Sequence, residues 1–193
     1  NPVGATYAGI SGCDDQLDDL SVAGFEARAE LTRRTLTELD LTEPETEAER
    51  IAKESMQERL GLELARYDAG ETTSEISVIV SGLHELRQVF DLMPTEGEEA
   101  VANISARLNR FAAALDDYRT TLVTAADAGH VSSRAQMIEV AKQCDTRTDP
   151  AGDNFFHGLV DRLGATGTLG ADLRRGAAAA TAATATFGQF LRE

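Results

Sequence analysis

V-A-N-I-S-A-R-L-N-R-F-A-A-A-L-D-D-Y-R-T-T-L, residues 101–122, has the cleanest pattern in the chain. Val101, Ile104, Leu108, Phe111, Leu115, Tyr118 and Leu122 recur at alternating steps of three and four. That spacing lines apolar side chains along one stripe of an α-helix. The Ala112-Ala113-Ala114 run inside it suits close packing against helices of the same chain better than a homodimeric coiled coil. The stretch therefore predicts a long helix buried at the centre of an all-α assembly.

The flanking sequence extends this reading. Ser21 is placed to cap a helix carrying Phe25, Ala29, Leu36 and Leu39. Thr42 and Glu45 have capping-box spacing, with Pro44 in the first turn, ahead of a helix whose inner face would be Ala52, Met56, Leu60, Leu64 and Tyr67. Gly70 is a left-handed stop. Thr72 with Glu75, and Thr95 with Glu98, repeat the box spacing. Between them, Ile76, Ile79, Leu83, Leu86 and Phe90 keep a helical stripe through the β-branched run I-S-V-I-V. After Gly129, Ser133 and Gln136 start a helix with Met137, Val140, Ala141 and Cys144 inward. Thr146–Asn154 reads as a turn-rich connector before a short helix with Phe156, Leu159, Val160 and Leu163. The last helix carries a small-residue face, Gly176, Ala180 and Thr184, leading to Phe187, Phe190 and Leu191. Residues 1–20 read as an extended lead-in and 21–193 as one helical domain of about six to eight helices, with little or no strand.

Composition narrows the partners. The chain has 193 residues, 42% of them hydrophobic, 5% aromatic and no Trp, so its core is built mainly of Leu, Ala, Val and Ile. Lys and Arg total 18 against 33 Asp and Glu, a formal charge of -15 that disfavours nucleic acid and anionic lipid. No apolar run approaches the roughly 20 residues that span a bilayer. Cys13 and Cys144 are far apart and read as buried free thiols, which favours a cytoplasmic location. A start at Asn1 and an end at Leu191-Arg192-Glu193 without a capping Gly or Pro suggest a segment of a longer chain.

The chemistry-bearing residues form no complete constellation. His84-Glu85 is the only His-Glu pair, but a zinc-protease helix needs a second His where Gln88 stands. His84 flanks an apolar stripe and reads as a hydrogen-bonded histidine. A di-metal bundle wants Glu three residues before His; Ser81, Asp127 and Asn154 precede His84, His130 and His157. Gly9-Ile10-Ser11-Gly12 lacks the spacing of a hydrolase elbow. The glycine-rich Gly164–Gly170 loop follows no strand and no Gly-Lys-Ser/Thr follows it, so it reads as a helix–turn–helix linker rather than as a phosphate cradle. Adjacent acids such as Asp14-Asp15, Asp18-Asp19 and Asp116-Asp117 read as solvated surface. The sequence assigns no catalytic, cofactor-binding or metal residue.

The order of short motifs does carry a resemblance. N-P-V-G-A-T-Y-A-G-I at the start, D-D-L-S at Asp18–Ser21, F-D-L-M-P-T at Phe90–Thr95, S-A-R-L at Ser105–Leu108, L-D-D-Y-R-T-T-L at Leu115–Leu122, A-G-H-V-S-S-R-A-Q at Ala128–Gln136 and the F-G-Q-F-L ending follow one another along nearly the whole chain. Together they resemble the amino-terminal part of the bacterial domain-of-unknown-function family 885. Members are similar to zinc metallopeptidases of the gluzincin type, are longer than this chain, and carry an H-E-x-x-x-G-H-like motif in their carboxy-terminal half. None of that motif is present here, so no ligand or catalytic Glu transfers to a residue of this sequence. The resemblance implies a helical lobe walling a substrate cleft, peptide as substrate, and zinc only in the complete protein. Read without it, the same text describes a stand-alone helical module that binds a protein or peptide. The expected partners are accordingly the remainder of the chain, or a second copy held through an unsatisfied face of the last helix.

Overall fold

The computed structural model describes residues 1–152 and 154–193. The described residues form nine helices: α1 Pro2–Tyr7, α2 Val22–Leu41, α3 Glu47–Asp68, α4 Glu71–Ser74, α5 Gly82–Leu92, α6 Glu98–Asp127, α7 Arg134–Thr148, α8 Phe155–Leu163 and α9 Gly167–Phe190. The expected all-α class holds. The excess over six to eight comes from the short α1 and α4. Among the described residues the only β pairing is one isolated antiparallel bridge between Ile76 and Ser81.

Helix α6 is the axis of the core. All seven residues of its stripe are buried, with Ile104, Leu108 and Phe111 at 0% exposure. Helix α9 lies along it through the small-residue face: a Cβ on Gly176 would stand 2.8 Å from the Leu108 Cβ, so only glycine permits this approach. Helix α7 closes the other side of α9 through Val140, Ala141 and Cys144, and Gly188 packs against the Cys144 Cβ. Aromatic rings bind the layers together. Phe111 meets Phe156 of α8 edge-on at 4.9 Å, and Tyr118 stacks on Phe187 at 5.8 Å. The C-terminal face expected to be unsatisfied is therefore covered by the chain's own α6 and α7. Gly176, Ala180, Thr184 and Phe187 are all buried there, so that face is not available for self-association.

Helices α2 and α3 form a hairpin with little of its surface buried. Ser21 caps α2 as expected, accepting from the Gly24 N–H. The capping box lies one turn later than expected, at Thr46 and Glu49, because Thr42 closes α2. The inner face expected for α3 is a correction: α3 has no buried residue, Leu60, Leu64 and Tyr67 are half-buried, and Ala52 and Met56 are exposed. The reason is tertiary: α3 packs on α2 and α4, and its far side faces solvent. Polar straps join the pair, with Tyr67 donating to Glu26 at 2.6 Å and Arg33 bridging Glu26 and Asp68 at 2.9 and 3.2 Å. Exposed ion pairs of this kind stabilise little.

Three other expectations change. The stripe from Ile76 does not start a helix there. Ile76–Val80 makes a turn, Ile79 is 74% exposed, and α5 begins at Gly82 with Ser81 as cap. Neighbouring side chains satisfy that turn's backbone: Ser132 accepts from Ile76 N–H, Gln136 accepts from Val78 N–H, and Gln143 donates to Val78 C=O. Neither Thr72 nor Thr95 forms a capping box; Gly70, in a left-handed conformation, precedes α4, and Gly97, with a positive φ of 92°, precedes α6. In the connector, α7 continues to Thr148, and Asp153 lies outside the described residues.

The lead-in is fastened to the core. Its first residues form α1, and the fully buried Arg107 of α6 reaches back to the remainder. Arg107 Nε donates to Gln16 C=O at 2.8 Å, and Nη2 donates to Thr6 Oγ1 at 2.8 Å and Cys13 C=O at 3.1 Å. Asp18 accepts from the Val3 N–H at 2.8 Å, and Thr121 donates to Leu20 C=O at 2.8 Å. Residues 1–20 thus belong to the same packed body as α5 and α6.

Candidate functional site: an acidic groove at the start of helix α5

The bridge at Ile76–Ser81 turns the chain so that α5 starts beside α1 and the lead-in. Gly82 allows this, because a Cβ there would come within 3.0 Å of both Leu20 and the Tyr118 ring. Two adjoining hollows, of about 170 and 290 Å³, share Asp18 and Glu85 as common walls. The first also draws on Arg28 of α2, Glu63 of α3, Glu75 and Tyr118. The second is bounded by Tyr7, Ile79, Val80 and Gln88.

Glu85 is the distinctive group. It sits in the first turn of α5 and is open to solvent on one side. Protein packed around its other side raises its pKa, and repulsion from Asp18 and Glu75 adds to this. A carboxyl that keeps its proton into a higher pH range can pass one to a neighbour, and once ionised it attracts a cationic group. Arg28 supplies the opposing charge. It donates to Asp19 C=O at 2.6 Å and lies 4.4 Å from the Phe25 ring centroid. Tyr118 donates its hydroxyl to Glu75 C=O, and burial pushes its pKa well up.

His84, beside Glu85, is committed to structure. Nε2 meets Gln143 Oε1 at 2.8 Å and Nδ1 meets Ser81 Oγ at 2.6 Å. The Gln143 amide nitrogen donates to Val78 C=O at 3.1 Å, which leaves its oxygen to accept from Nε2–H. Nδ1 then accepts from the Ser81 hydroxyl, giving a neutral imidazole. Burial lowers its pKa, and Arg147 and Arg87 lower it further against the Gln143 hydrogen bond. The expectation of a hydrogen-bonded histidine holds.

The other chemistry-bearing residues are dispersed. His130 lies over Gly70, whose Cβ position is 2.4 Å from the imidazole ring. His157 is exposed in the first turn of α8. Among the described residues no three His, Cys, Asp or Glu side chains are placed to share an ion, so the residues present do not fit the zinc that the resemblance implies for the complete protein. Both cysteines are free. Cys144 is buried and its thiol is pushed up to about 11 by desolvation, whereas Cys13 is only half-buried. Gly164 closes α8 in a left-handed conformation and α9 starts at Gly167, the linker expected of the Gly164–Gly170 loop.

Sequence reasoning passed over Glu85 except as the neighbour of His84, and assigned Glu75 to a capping box. The one local signal was a carboxylate at the start of a strongly amphipathic helix. What raises its pKa is burial first and then Asp18, 67 residues earlier in the numbering.

The family described as "Bacterial protein of unknown function (DUF885)" matches residues 2–193. The chain belongs to that family. Curated proteins gave no match. The membership agrees with the motif order quoted above. No helix among the described residues is long and apolar enough to cross a membrane.

Proposed function

We propose that this DUF885 chain is a helical lobe of a metallopeptidase-like hydrolase, and that the groove around Glu85 forms part of the wall of its substrate cleft. The supporting observation is the groove itself: an open, protein-lined recess with a carboxyl of raised pKa, bordered by a projecting helical hairpin. The lobe shapes and covers; it does not hold the metal. Glu85, Asp18 and Glu75 would orient a cationic part of a peptide, with Arg28 limiting the net negative charge.

The test compares this chain alone with protein that includes an H-E-x-x-x-G-H-like segment. The lobe alone is expected to bind no stoichiometric zinc and to cleave no peptide. In the active protein, Glu85→Gln is expected to raise KM with little change in kcat. Tight one-to-one zinc on the lobe alone, or an unchanged KM in the variant, refutes the assignment.

A second reading, a helical module that binds a protein or peptide, is favoured by the closure of α9 onto its own core. Apolar surface is left instead on the hairpin, at Leu31, Leu41, Ile51, Met56 and Leu62. Sedimentation and hydrophobic-dye binding test this second reading: a monomer that binds no dye at high concentration argues against an apolar docking surface on the hairpin.

A further inference from the structure

We propose that the cleft between α5, α7 and α8 is a binding site for a phosphate group. This site is separate from the groove around Glu85 and does not depend on its assignment. The cleft measures about 810 Å³ and is lined by Arg87, Arg147 and Arg162, with His157 from the first turn of α8 and Asn154, which caps that helix. In a chain of net charge -15, three guanidinium groups converging on one recess need an explanation.

Their pairing supplies it. Arg87 is held in place by Asp91, with Nη1 2.7 Å from Oδ2, and its guanidinium lies 4.2 Å from the Phe155 ring centroid. Arg147 and Arg162 have no ion-pair partner among the described residues. Arg147 Nη1 is also shut off from solvent with no hydrogen-bond acceptor among those residues. A buried donor without an acceptor is destabilising, and the fold commonly supplies a water or an ion for it. Arg147 also sits near the like charge of Arg87; desolvation first and that repulsion second lower its pKa.

The charge selects the ligand. Two guanidinium groups without an ion pair among the described residues match a dianion, and their planar forks suit the paired oxygens of a phosphate. The first turn of α8 adds the positive end of a helix dipole, while Asp161 at the rim is the one carboxylate among the described lining residues. The recess is roomier than a bare phosphate needs, so there is space for an organic body attached to it.

Calorimetric titration of the folded chain with inorganic phosphate and with phenyl phosphate tests the proposal. Saturable one-site binding is expected, weakened about tenfold or more by Arg147→Met and by Arg162→Gln. Arg175→Gln, on α9 and paired with Asp172, should bind as the wild type does. Tighter binding of phenyl phosphate identifies an organic phosphate as the ligand, and equal binding identifies free phosphate. Absence of saturation, equal weakening by Arg175→Gln, or the same response to chloride at matched ionic strength overturns the proposal. Arg162 is exposed, so Arg162→Gln keeps the test decisive if Arg147→Met fails to fold. Unchanged binding in Arg162→Gln overturns it as well.

Discussion

Replacing Arg107 by Met should release the lead-in while leaving the central helices folded. The guanidinium is at 0% exposure and makes three good hydrogen bonds, at 2.8, 2.8 and 3.1 Å, to Gln16, Thr6 and Cys13. Bonds from a charged donor contribute about 1.5–3 kcal/mol each, so the gross loss is several kcal/mol. Part is recovered. Methionine removes a desolvated charge whose Nη1 has no acceptor among the described residues, and it keeps most of the apolar stem. The carbonyls of Cys13 and Gln16 can also turn to water, since Cys13 is half-buried and Gln16 exposed. A net destabilisation of about 2–3 kcal/mol follows. Urea titration would read the total, and hydrogen exchange by mass spectrometry would read its location. Peptides from residues 2–18 should lose protection while those from α6 and α9 retain theirs relative to the shifted midpoint. Unchanged exchange in the lead-in, or a midpoint equal to that of the wild type, refutes the view that Arg107 fastens it.

Other perturbations address the core and the groove. Leu108→Ala and Leu115→Ala, at 0% and 2% exposure, should each lower stability by about 2–5 kcal/mol; a loss below 1 kcal/mol in denaturant titration would place the stripe outside the core. The folded-state pKa of Glu85 is raised, so its contribution to stability is present below the unfolded value near 4.5 and is lost as pH rises through the folded value. Glu85→Gln should therefore raise the urea midpoint at neutral pH and flatten its slope above about pH 4.5; a lower midpoint contradicts the direction of the shift. His84 behaves oppositely, because burial lowers its folded pKa and stability is lost as pH falls below about 6.5. His84→Gln should lower the midpoint at neutral pH but remove this component of the acid slope, and a slope identical to that of the wild type counts against a neutral buried imidazole.

Helical periodicity was legible because it is local. Spacings of three and four identified the α6 stripe, and the same logic found the inward faces of α7, α8 and α9, the Ser21 cap and the stops at Gly70 and Gly129. It failed where a pattern had more than one way to be satisfied. Ile76 and Ile79 continue a helical stripe in the sequence, but side chains of Ser132, Gln136 and Gln143 hold that backbone in a turn instead. The α3 face had the right spacing too, yet an amphipathic pattern does not say whether anything will cover it.

The sequence by itself determined an all-α chain, the position of its central helix and the absence of a local metal motif, because each depends on residues within one or two turns of each other. Tertiary structure alone decided the fastening of the lead-in, the exposure of α3 and both recesses. Arg107 and Gln16 are 91 positions apart, and Gln143 and Val78 are 65 apart. Glu85 acquires its raised pKa, and Arg147 a nitrogen with no acceptor among the described residues, from burial and from neighbours brought close by folding. Periodicity records which way a side chain faces along its own helix; the charge and solvent it meets are set by whatever packs against that face.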